Sequence, residues 1–356
     1  MIRNLSVTVL LCAITFNLFS QDNLSATKKP SNFTFTGYVD GYFRYDFSKD
    51  VTNNKTSFTN NTGNLALGML SEKIDFTKNK FSFTADLGLG KRAKEFAYND
   101  KGVLSSVKQL FASYQLTDWM KVTAGSWATH VGYEVVDPYV NRNYSMSYMF
   151  SYGPFLHTGL KSDFSFGKSA LMLGISNPTD YRKAPSGNKK SMIFQYSYAF
   201  NDNTKLYLNY VGGQRPTDEA KIRQFDVVFT DKLNDEINIG FNGTINSTTL
   251  KKNGNYGSAA SWSGVALYLN IDPWEKVGLT QRFEVFNDKN QLSGLSTSVY
   301  GGTVLANTIS ANFKFGPMVI IPEYRIENCS NKVFHDKVGA ASNFASSLVL
   351  AAYLKF

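Results

Sequence analysis

The residues best suited to acid–base chemistry are His130, His157 and His335, the only three histidines of the chain. His157 shares one face of an alternating segment with Lys161 and Asp163. Hydrolysis would need a base that is held by an orienting group beside a nucleophile or a water. No motif supplies that arrangement, so we predict no enzymatic activity and interpret His157 as a hydrogen-bonding residue of a polar interior.

Cofactor and metal chemistry also lack a motif. Gly88, Gly90, Lys91 and Arg92 resemble part of a phosphate-binding loop, but no Gly-Lys-Ser/Thr unit and no helix is predicted after them. Only Cys329 would remain after removal of an N-terminal leader, which excludes an intramolecular disulfide and a zinc site built on cysteines. We therefore predict no cofactor and no metal.

Charged residues recur at spacings that place them on one face of a strand. Neighbouring side chains of a strand point to opposite sides, so residues two or four apart share a face. A charge on a lipid-facing surface would cost roughly 2–4 kcal/mol at the midplane, so these faces are predicted to line an aqueous lumen. Their charges could tune permeation or hold neighbouring strands together. The residues predicted to face the lumen are Asp40, Arg44, Asp86, His157, Lys161, Asp163, Arg282, Glu284, Glu323 and Arg325.

The elements that would carry these charges are long amphipathic strands. From Phe33 to Phe47, odd positions are apolar, aromatic or Gly, and most even positions are polar. The twelve steps from Phe33 to Tyr45 extend roughly 40 Å, which at a tilt of about 40° spans roughly 30 Å of membrane. Strands of soluble proteins are usually shorter. The pattern indicates an all-β transmembrane barrel.

About sixteen such segments can be placed, and 14 or 18 remain compatible with their boundaries. Their connections alternate between short turns and long loops, as in antiparallel up-and-down barrels with short periplasmic turns and long external loops. The longest predicted loop is the third, Ala128–Pro154, and another is Asn246–Ser258. Both chain ends would then be periplasmic.

The chain ends carry export signals. Arg3 precedes the apolar stretch Leu5–Phe19, which is too short for a transmembrane helix and is typical of a signal peptide cleaved after Ser20. Cys12 would make a lipoprotein only with a small residue before it, and Leu11 is not small. We predict a signal peptide at 1–20, a short periplasmic segment at 21–32 and a barrel at 33–356.

Several blocks of sequence resemble a known family. The run WATHVGYE at 127–134 leads into RNYS at 142–145, FSYGPF at 150–155 and HTG at 157–159. Together with RFEVF at 282–286 and PEYR at 322–325, these are similar to the OmpL-like putative β-barrel porin family, over roughly Phe33–Phe356. The last strand ends in Phe356, which resembles the C-terminal signal of outer-membrane barrels. The resemblance implies a barrel and a pore role, with no catalytic residues.

The third loop is the candidate constriction of the pore. A barrel of about 16 strands encloses a wide channel, and an inward loop would narrow it. Glu134, Asp137 and Arg142 would then place both signs of charge at the narrow point, where charge sets ion preference. The alternative is a loop packed on the rim, with solvated charges.

Three functions fit these observations. The first is a porin of a Gram-negative outer membrane that passes small hydrophilic solutes or ions. The second is a plugged barrel with a structural or partner-binding role, and the third is a dedicated transporter for one ligand class. Removal of residues 1–20 lowers the formal net charge from +9 to +8, and the scattered basic residues do not predict nucleic-acid binding. Expected partners are membrane lipid, lipopolysaccharide and the barrel-assembly machinery, with a homotrimer as one option.

Overall fold

The chain folds into a closed barrel. A computed structural model describes residues 32–187, 189–295 and 301–356. Sixteen antiparallel strands follow one another around the wall, and the last pairs with the first. The predicted all-β, 16-stranded antiparallel barrel is therefore confirmed. The predicted signal peptide and nearly all of the segment 21–32 lie outside the described residues.

The strands alternate with two kinds of connection, so the barrel has a loop end and a turn end. The turn end carries the short turns and both ends of the wall, Phe33 and Phe356. The strands are β1 Phe33–Asp46, β2 Leu65–Lys78, β3 Phe81–Leu89, β4 Val107–Thr117, β5 Met120–Ala128, β6 Leu156–Phe166, β7 Ser169–Ser176, β8 Ser191–Ala199, β9 Thr204–Gln214, β10 Lys221–Lys232, β11 Ile237–Lys252, β12 Asn255–Trp274, β13 Val277–Asp288, β14 Gly302–Phe315, β15 Met318–Cys329, β16 Phe334–His335, β17 Ala341–Ser342 and β18 Phe344–Lys355.

Alternating burial shows which face of the wall is inside. In β13, Leu279, Gln281 and Phe283 are exposed, whereas Thr280 and Arg282 between them are buried. The exposed set is mostly apolar and the buried set mostly polar, which is the arrangement of a barrel with lipid outside and a polar interior. The strands β16 and β17 form a separate two-stranded sheet in the last loop.

Short helices occur only in the loops of the described part of the chain. They are the 3₁₀ segments Val51–Asn53 and Gly102–Ser106 and the α-helices α1 Lys91–Phe96 and α2 Tyr148–Tyr152. The expectation of no helix after Gly90 was therefore wrong, because one short helix begins at Lys91. Of the helices in these residues, none is long and apolar enough to cross a membrane.

One predicted long loop is a hairpin instead. The segment Asn246–Ser258 belongs mostly to β11 and β12, which pair up to Lys252 and Asn255. Their connection is Asn253–Gly254, with φ of 51° and 82°. An Asn-Gly pair with both φ positive is the favoured two-residue hairpin turn, because its twist matches that of the strands. The polar composition of this segment reflects a ribbon that projects from the loop end.

The seam between the first and last strands includes the final residue. The backbone N–H of Gly37 donates to the carbonyl of Phe356, and the N–H of Phe356 donates to the carbonyl of Gly37, both at 2.9 Å. A Cβ on Gly37 would lie 2.3 Å from the Phe356 ring, so glycine lets the ring lie against the strand. Phe356 therefore takes part in closing the wall.

We predict that Gly125→Ala destabilises the barrel by about 1–3 kcal/mol, because the new methyl group has no space. Gly125 has a φ of 134°, and its Cβ would lie 2.3 Å from the Leu110 carbonyl oxygen. The measurement is urea unfolding of the refolded barrel in lipid vesicles. Gly257→Ala is the control, because its nearest contact would be 3.9 Å away. Equal unfolding midpoints for the two variants would contradict this account.

Candidate functional site

The third loop, residues 129–155, crosses the barrel interior. Its first part follows the inner face of the wall, where the N–H of Gly132 donates to Asp226 of β10 at 3.1 Å. The N–H of Tyr133 donates to Asn242 of β11 at 3.3 Å, and its ring stacks on Tyr268 of β12 with centroids 4.0 Å apart. Side chains of the wall thus satisfy the backbone of the loop as it enters the interior.

A buried charge cluster then holds the loop to β13. Arg282 donates to Glu134 at 2.6 Å and to the carbonyl oxygen of Ser145 at 2.7 Å, so one guanidinium joins two parts of the loop. Its Nε lies 3.4 Å from Glu284 on the same strand. Glu134 also accepts the N–H of Ser147 at 2.7 Å. Since Arg282 is fully buried, these contacts lie in a low-dielectric interior where each is strong.

The cluster continues onto β15. Arg325 lies 3.0 Å from both Glu284 and Glu327. Tyr148, in the short helix of the loop, donates its N–H to Glu284 at 2.9 Å and its hydroxyl to Glu327 at 2.6 Å. Glu323 of β15 accepts the N–H groups of Tyr144 and Ser145. Alternating charges on two strands therefore fix the returning half of the loop.

Other side chains attach the loop to β1 and β4, beyond β15 and β18 along the wall. Asp137 accepts the hydroxyl of Tyr38 on β1 at 2.8 Å and the ammonium of Lys108 on β4 at 2.5 Å. Lys108 also lies 3.1 Å from Asp86 on β3. The hydroxyl of Tyr144 donates to Asp40 on β1 at 2.5 Å. The loop thus bridges the lumen rather than following one wall.

The three residues predicted for the constriction are not brought into one group. Glu134 faces β13, and Asp137 faces β1 and β4. Arg142 forms a two-pronged pair with Asp272, near the end of β12 at the turn end of the barrel, where Lys314 also approaches to 3.0 Å. Both signs of charge therefore lie inside the barrel, each already paired with the wall.

The ten residues predicted to face the lumen differ in burial. Lys161 and Asp163 are half-buried on β6 and form a pair at 3.3 Å. The imidazole of His157 is buried, lies 3.2 Å from the hydroxyl of Thr129 and has its ring centroid 5.1 Å from that of His130. The buried members are Asp40, Arg44, Asp86, His157, Arg282, Glu284, Glu323 and Arg325.

The loop also packs against the wall through apolar side chains. Val131 packs with inward residues of β5, β7, β8 and β9, namely Trp127, Met172, Ile193 and Val211. Further along, Met146 and Phe150 of the loop pack with Tyr38, Met69 and residues of α1. The loop and α1 therefore touch most of the circumference of the interior.

Two cavities remain beside the loop. One, of about 330 Å³, opens near the loop end among Tyr98, Tyr152, Asp180 and Gln224. The other, of about 220 Å³, lies between the loop and β12, among Tyr133, Arg142 and Asn270. In the part of the chain that the structure describes, no cluster of potential metal ligands is found.

Asp180, which sequence reasoning missed, ties three loops together. It lies between β7 and β8 with a φ of 64°. Its carboxyl group accepts the N–H groups of Phe155 and Leu156 at 2.7 and 2.9 Å and the hydroxyl of Tyr98 at 2.8 Å. Burial raises the pKa of Asp180 to about 6, against these hydrogen bonds and Arg182, which lower it. The sequence around Asp180 is typical of a loop, and its positive φ is visible only in the structure.

We predict that the folded arrangement in which Asp180 is buried against the third loop loses stability as pH rises through 6. Because its folded pKa is raised from 3.8 to about 6, its contribution is complete below pH 3.8 and is lost above pH 6. The change over the whole interval from pH 3.8 to 6 is roughly 3 kcal/mol, and the part of it above pH 5 is roughly 1.4 kcal/mol. Hydrogen exchange at Phe155 and Leu156, corrected for the intrinsic rate, should be faster at pH 7.5 than at pH 5. Asp180→Asn should remove the difference and Asp218→Asn should keep it; a difference that persists in Asp180→Asn contradicts the assignment.

We predict that Arg282→Met destabilises the folded protein by about 3–5 kcal/mol, because it removes the cation that faces buried Glu134. Lys314→Met is the control. Its side chain is 39% exposed and its partner Asp272 keeps Arg142, so a change below about 1 kcal/mol is expected. Urea unfolding followed by tryptophan fluorescence measures both. Similar losses in the two variants would show that the buried cluster does not hold the loop.

Comparisons with known proteins agree with this architecture. The model of the family described as putative beta-barrel porin-2, OmpL-like, matches residues 32–356. OmpT of Vibrio cholerae, expressed in the outer membrane, has a TM-score of 0.59 at 10% identity, covering 91% of this chain and 97% of that one. The trimer form of in-vitro folded OmpT has a TM-score of 0.61 at 11% identity, covering 91% and 99%.

A mutant porin of Rh. blastica is also similar, with a TM-score of 0.53 at 14% identity, covering 91% of this chain and all of that one. At these identities the likeness shows the fold alone. Among curated protein sequences, none matches this chain significantly.

Proposed function

We propose, from the premise that the chain belongs to the OmpL-like putative beta-barrel porin-2 family, that it is a porin for passive diffusion of small hydrophilic solutes or ions. The family is porin-like, and the structural neighbours are outer-membrane barrels. We place the protein in the outer membrane of a Gram-negative bacterium, with a cleaved signal peptide and its loop end outside. We also propose, from its family, that the protein has no catalytic role.

The observation that carries the proposal is the polarity of the inner wall. A barrel built only as a solid plug could fill its interior with apolar side chains, but this interior is charged from the loop end to the turn end. Half-buried charges at β5 and β6, Lys121, Lys161 and Asp163, face the interior and are partly accessible to water. Charged and polar lumen residues tune permeation in barrels of this kind.

The third loop sets the width of the pore in this proposal. We assign Glu134, Asp137 and Arg142 to the constriction, together with the wall residues that they pair with. Because paired charges of both signs line the loop, we expect a small conductance with weak ion preference. Passage would follow the two cavities beside the loop, at the loop end and next to β12.

A second candidate function, a plugged barrel, is favoured by the extent of the loop contacts. The loop and α1 touch most of the wall, and the buried charges are already paired. A plugged barrel would serve as a scaffold, with its loops binding a partner. The two functions differ in whether the loop leaves a passage.

We also propose the partners of the barrel. Phe356 would be recognised by the barrel-assembly machinery, and the loop end would face lipopolysaccharide. A homotrimer is supported by the trimer form of the similar OmpT.

We predict that the purified barrel conducts in a planar bilayer, with a single-channel conductance below that of a barrel whose residues 131–151 are replaced by a short Gly-Ser linker. Removal of the loop exposes the whole lumen, so the conductance should rise to the nanosiemens order in 1 M salt. If the natural barrel does not conduct and the loop-deleted barrel does, the porin proposal is refuted and the plugged barrel is favoured.

The same recording on the Arg142→Glu variant tests whether Arg142 lies at the constriction. If Arg142 is at the constriction, the reversal potential in a salt gradient moves towards cation preference. Lys332→Glu is the control, because Lys332 lies in the last loop, away from the interior contacts described above. If the reversal potential is equal in the two variants, Arg142 does not lie at the narrow point.

A further inference from the structure

One carboxylate lies on the wrong face of the wall. Along β2, Ser71 points inward, where its hydroxyl donates to Asp86 at 3.1 Å. Leu70 and Glu72 lie on the opposite face, and both are exposed. Glu72 has no hydrogen-bond or ion-pair partner among residues 32–187, 189–295 and 301–356. A charged group therefore projects from the surface that meets lipid.

Glu72 also lies within that surface rather than at its edge. It is the eighth of the fourteen residues of β2, with outward Leu67 and Leu70 on one side and Ile74 and Phe76 on the other. The ring of Phe76 contacts the rings of Phe33 and Phe83 at the turn end. Four residues of a strand tilted about 40° separate Glu72 from this aromatic group by about 10 Å of depth. A charged side chain at that depth is destabilising in lipid.

A second polar group interrupts the outward face on β13 and β14. Gln281 is exposed and Asn307 is half-buried, and the Gln281 side-chain amide Nε2 donates to the Asn307 side-chain oxygen Oδ1 at 3.4 Å. Their outward neighbours, Leu279, Phe283, Leu305 and Ile309, are all apolar. The remaining amide N–H groups of the pair have no acceptor in the described part of the chain. They are unused donors in a lipid-facing surface.

These two groups lie on one continuous stretch of wall. The strand order β13, β14, β15, β18, β1, β2 separates them by five steps, which is roughly 24 Å along the wall. The residue pairings between neighbouring strands fix the relative depth of Gln281 and Glu72 in the membrane. For strands tilted about 40°, the two depths agree within roughly 5 Å. Outward residues between them are mostly apolar, among them Ile320, Leu350 and Val39. The acceptor and the donors thus flank an apolar centre.

We propose that this six-strand wall is the contact face between copies of the chain, in which Glu72 of one copy accepts hydrogen bonds from the Gln281 and Asn307 amides of the next. A rotation axis along the membrane normal preserves depth, so groups that meet across it must be equally deep. Two different halves of one surface then meet, which closes a ring of identical subunits. Binding of a different protein to this face would not require the acceptor and the donors to lie at one depth. The inference deepens the proposed homotrimer and is independent of conductance.

Cross-linking between two engineered cysteines tests the contact. In a Cys329→Ala background, Glu72→Cys combined with Gln281→Cys should give dimers and trimers with a short bis-maleimide in native membranes. Leu208→Cys combined with Gln281→Cys is the control, because Leu208 is an exposed, outward residue of the distant β9. Monomer in the first pair, or equal ladders in both, would overturn the proposal.

Subunit mass in lipid nanodiscs tests the polar contact itself. Glu72→Leu should weaken assembly at least about tenfold, because a hydrogen bond to a charged group is lost, while Glu72→Gln should retain part of it. Gln281→Leu with Asn307→Leu should lose as much, and the three changes together no more. Leu208→Gln should assemble normally. A natural barrel that is monomeric, or a Glu72→Leu barrel that assembles unchanged, refutes the contact, whether or not the barrel conducts.

Discussion

The need to pair every backbone N–H and C=O group inside lipid governs this structure. Hydrocarbon supplies no hydrogen-bond partner, so a sheet that enters it must close on itself. Closure is completed where Gly37 and Phe356 exchange two backbone hydrogen bonds. Once the wall is closed, alternate side chains must face either lipid or the interior, and the polar ones are forced together inside. The third loop is therefore surrounded on most sides by hydrogen-bond acceptors and charged groups of the wall.

Much of the fold follows from local pattern. Alternation with a period of two residues is visible in the sequence, and it predicts both the strands and the inward face of residues such as Asp40 and Arg282. Two local features are not predicted by the pattern. The polar run 246–258 predicts a loop because a ribbon projecting beyond the membrane keeps no apolar face, although Asn253–Gly254 is a strong hairpin turn. The helix that begins at Lys91 is held by packing of Ala93 and Phe96 inside the barrel, which no local pattern indicates.

The interior contacts were much less predictable. Their types could be expected, since charges on an inward face need partners, but their identities depend on pairings such as Glu134 with Arg282, 148 residues apart. The separation of Glu134, Asp137 and Arg142 onto different parts of the wall is likewise set by the path of the loop, which one sequence does not specify. Asp180 shows the same limit, because its role comes from two other loops that converge on it.

The long reach of these pairings bears on the order in which the protein assembles. The third loop precedes most of the strands that hold it, and Tyr144 binds Glu323 across 179 residues of chain. The loop can meet β1, β4 and α1 when its flanking strands form, but its contacts with β10 to β15 wait until the second half of the wall is in place. Contacts this distant in sequence make for slow folding. The occupied lumen is consequently a late product of assembly, and a barrel caught just after closure would be wider inside than the finished protein.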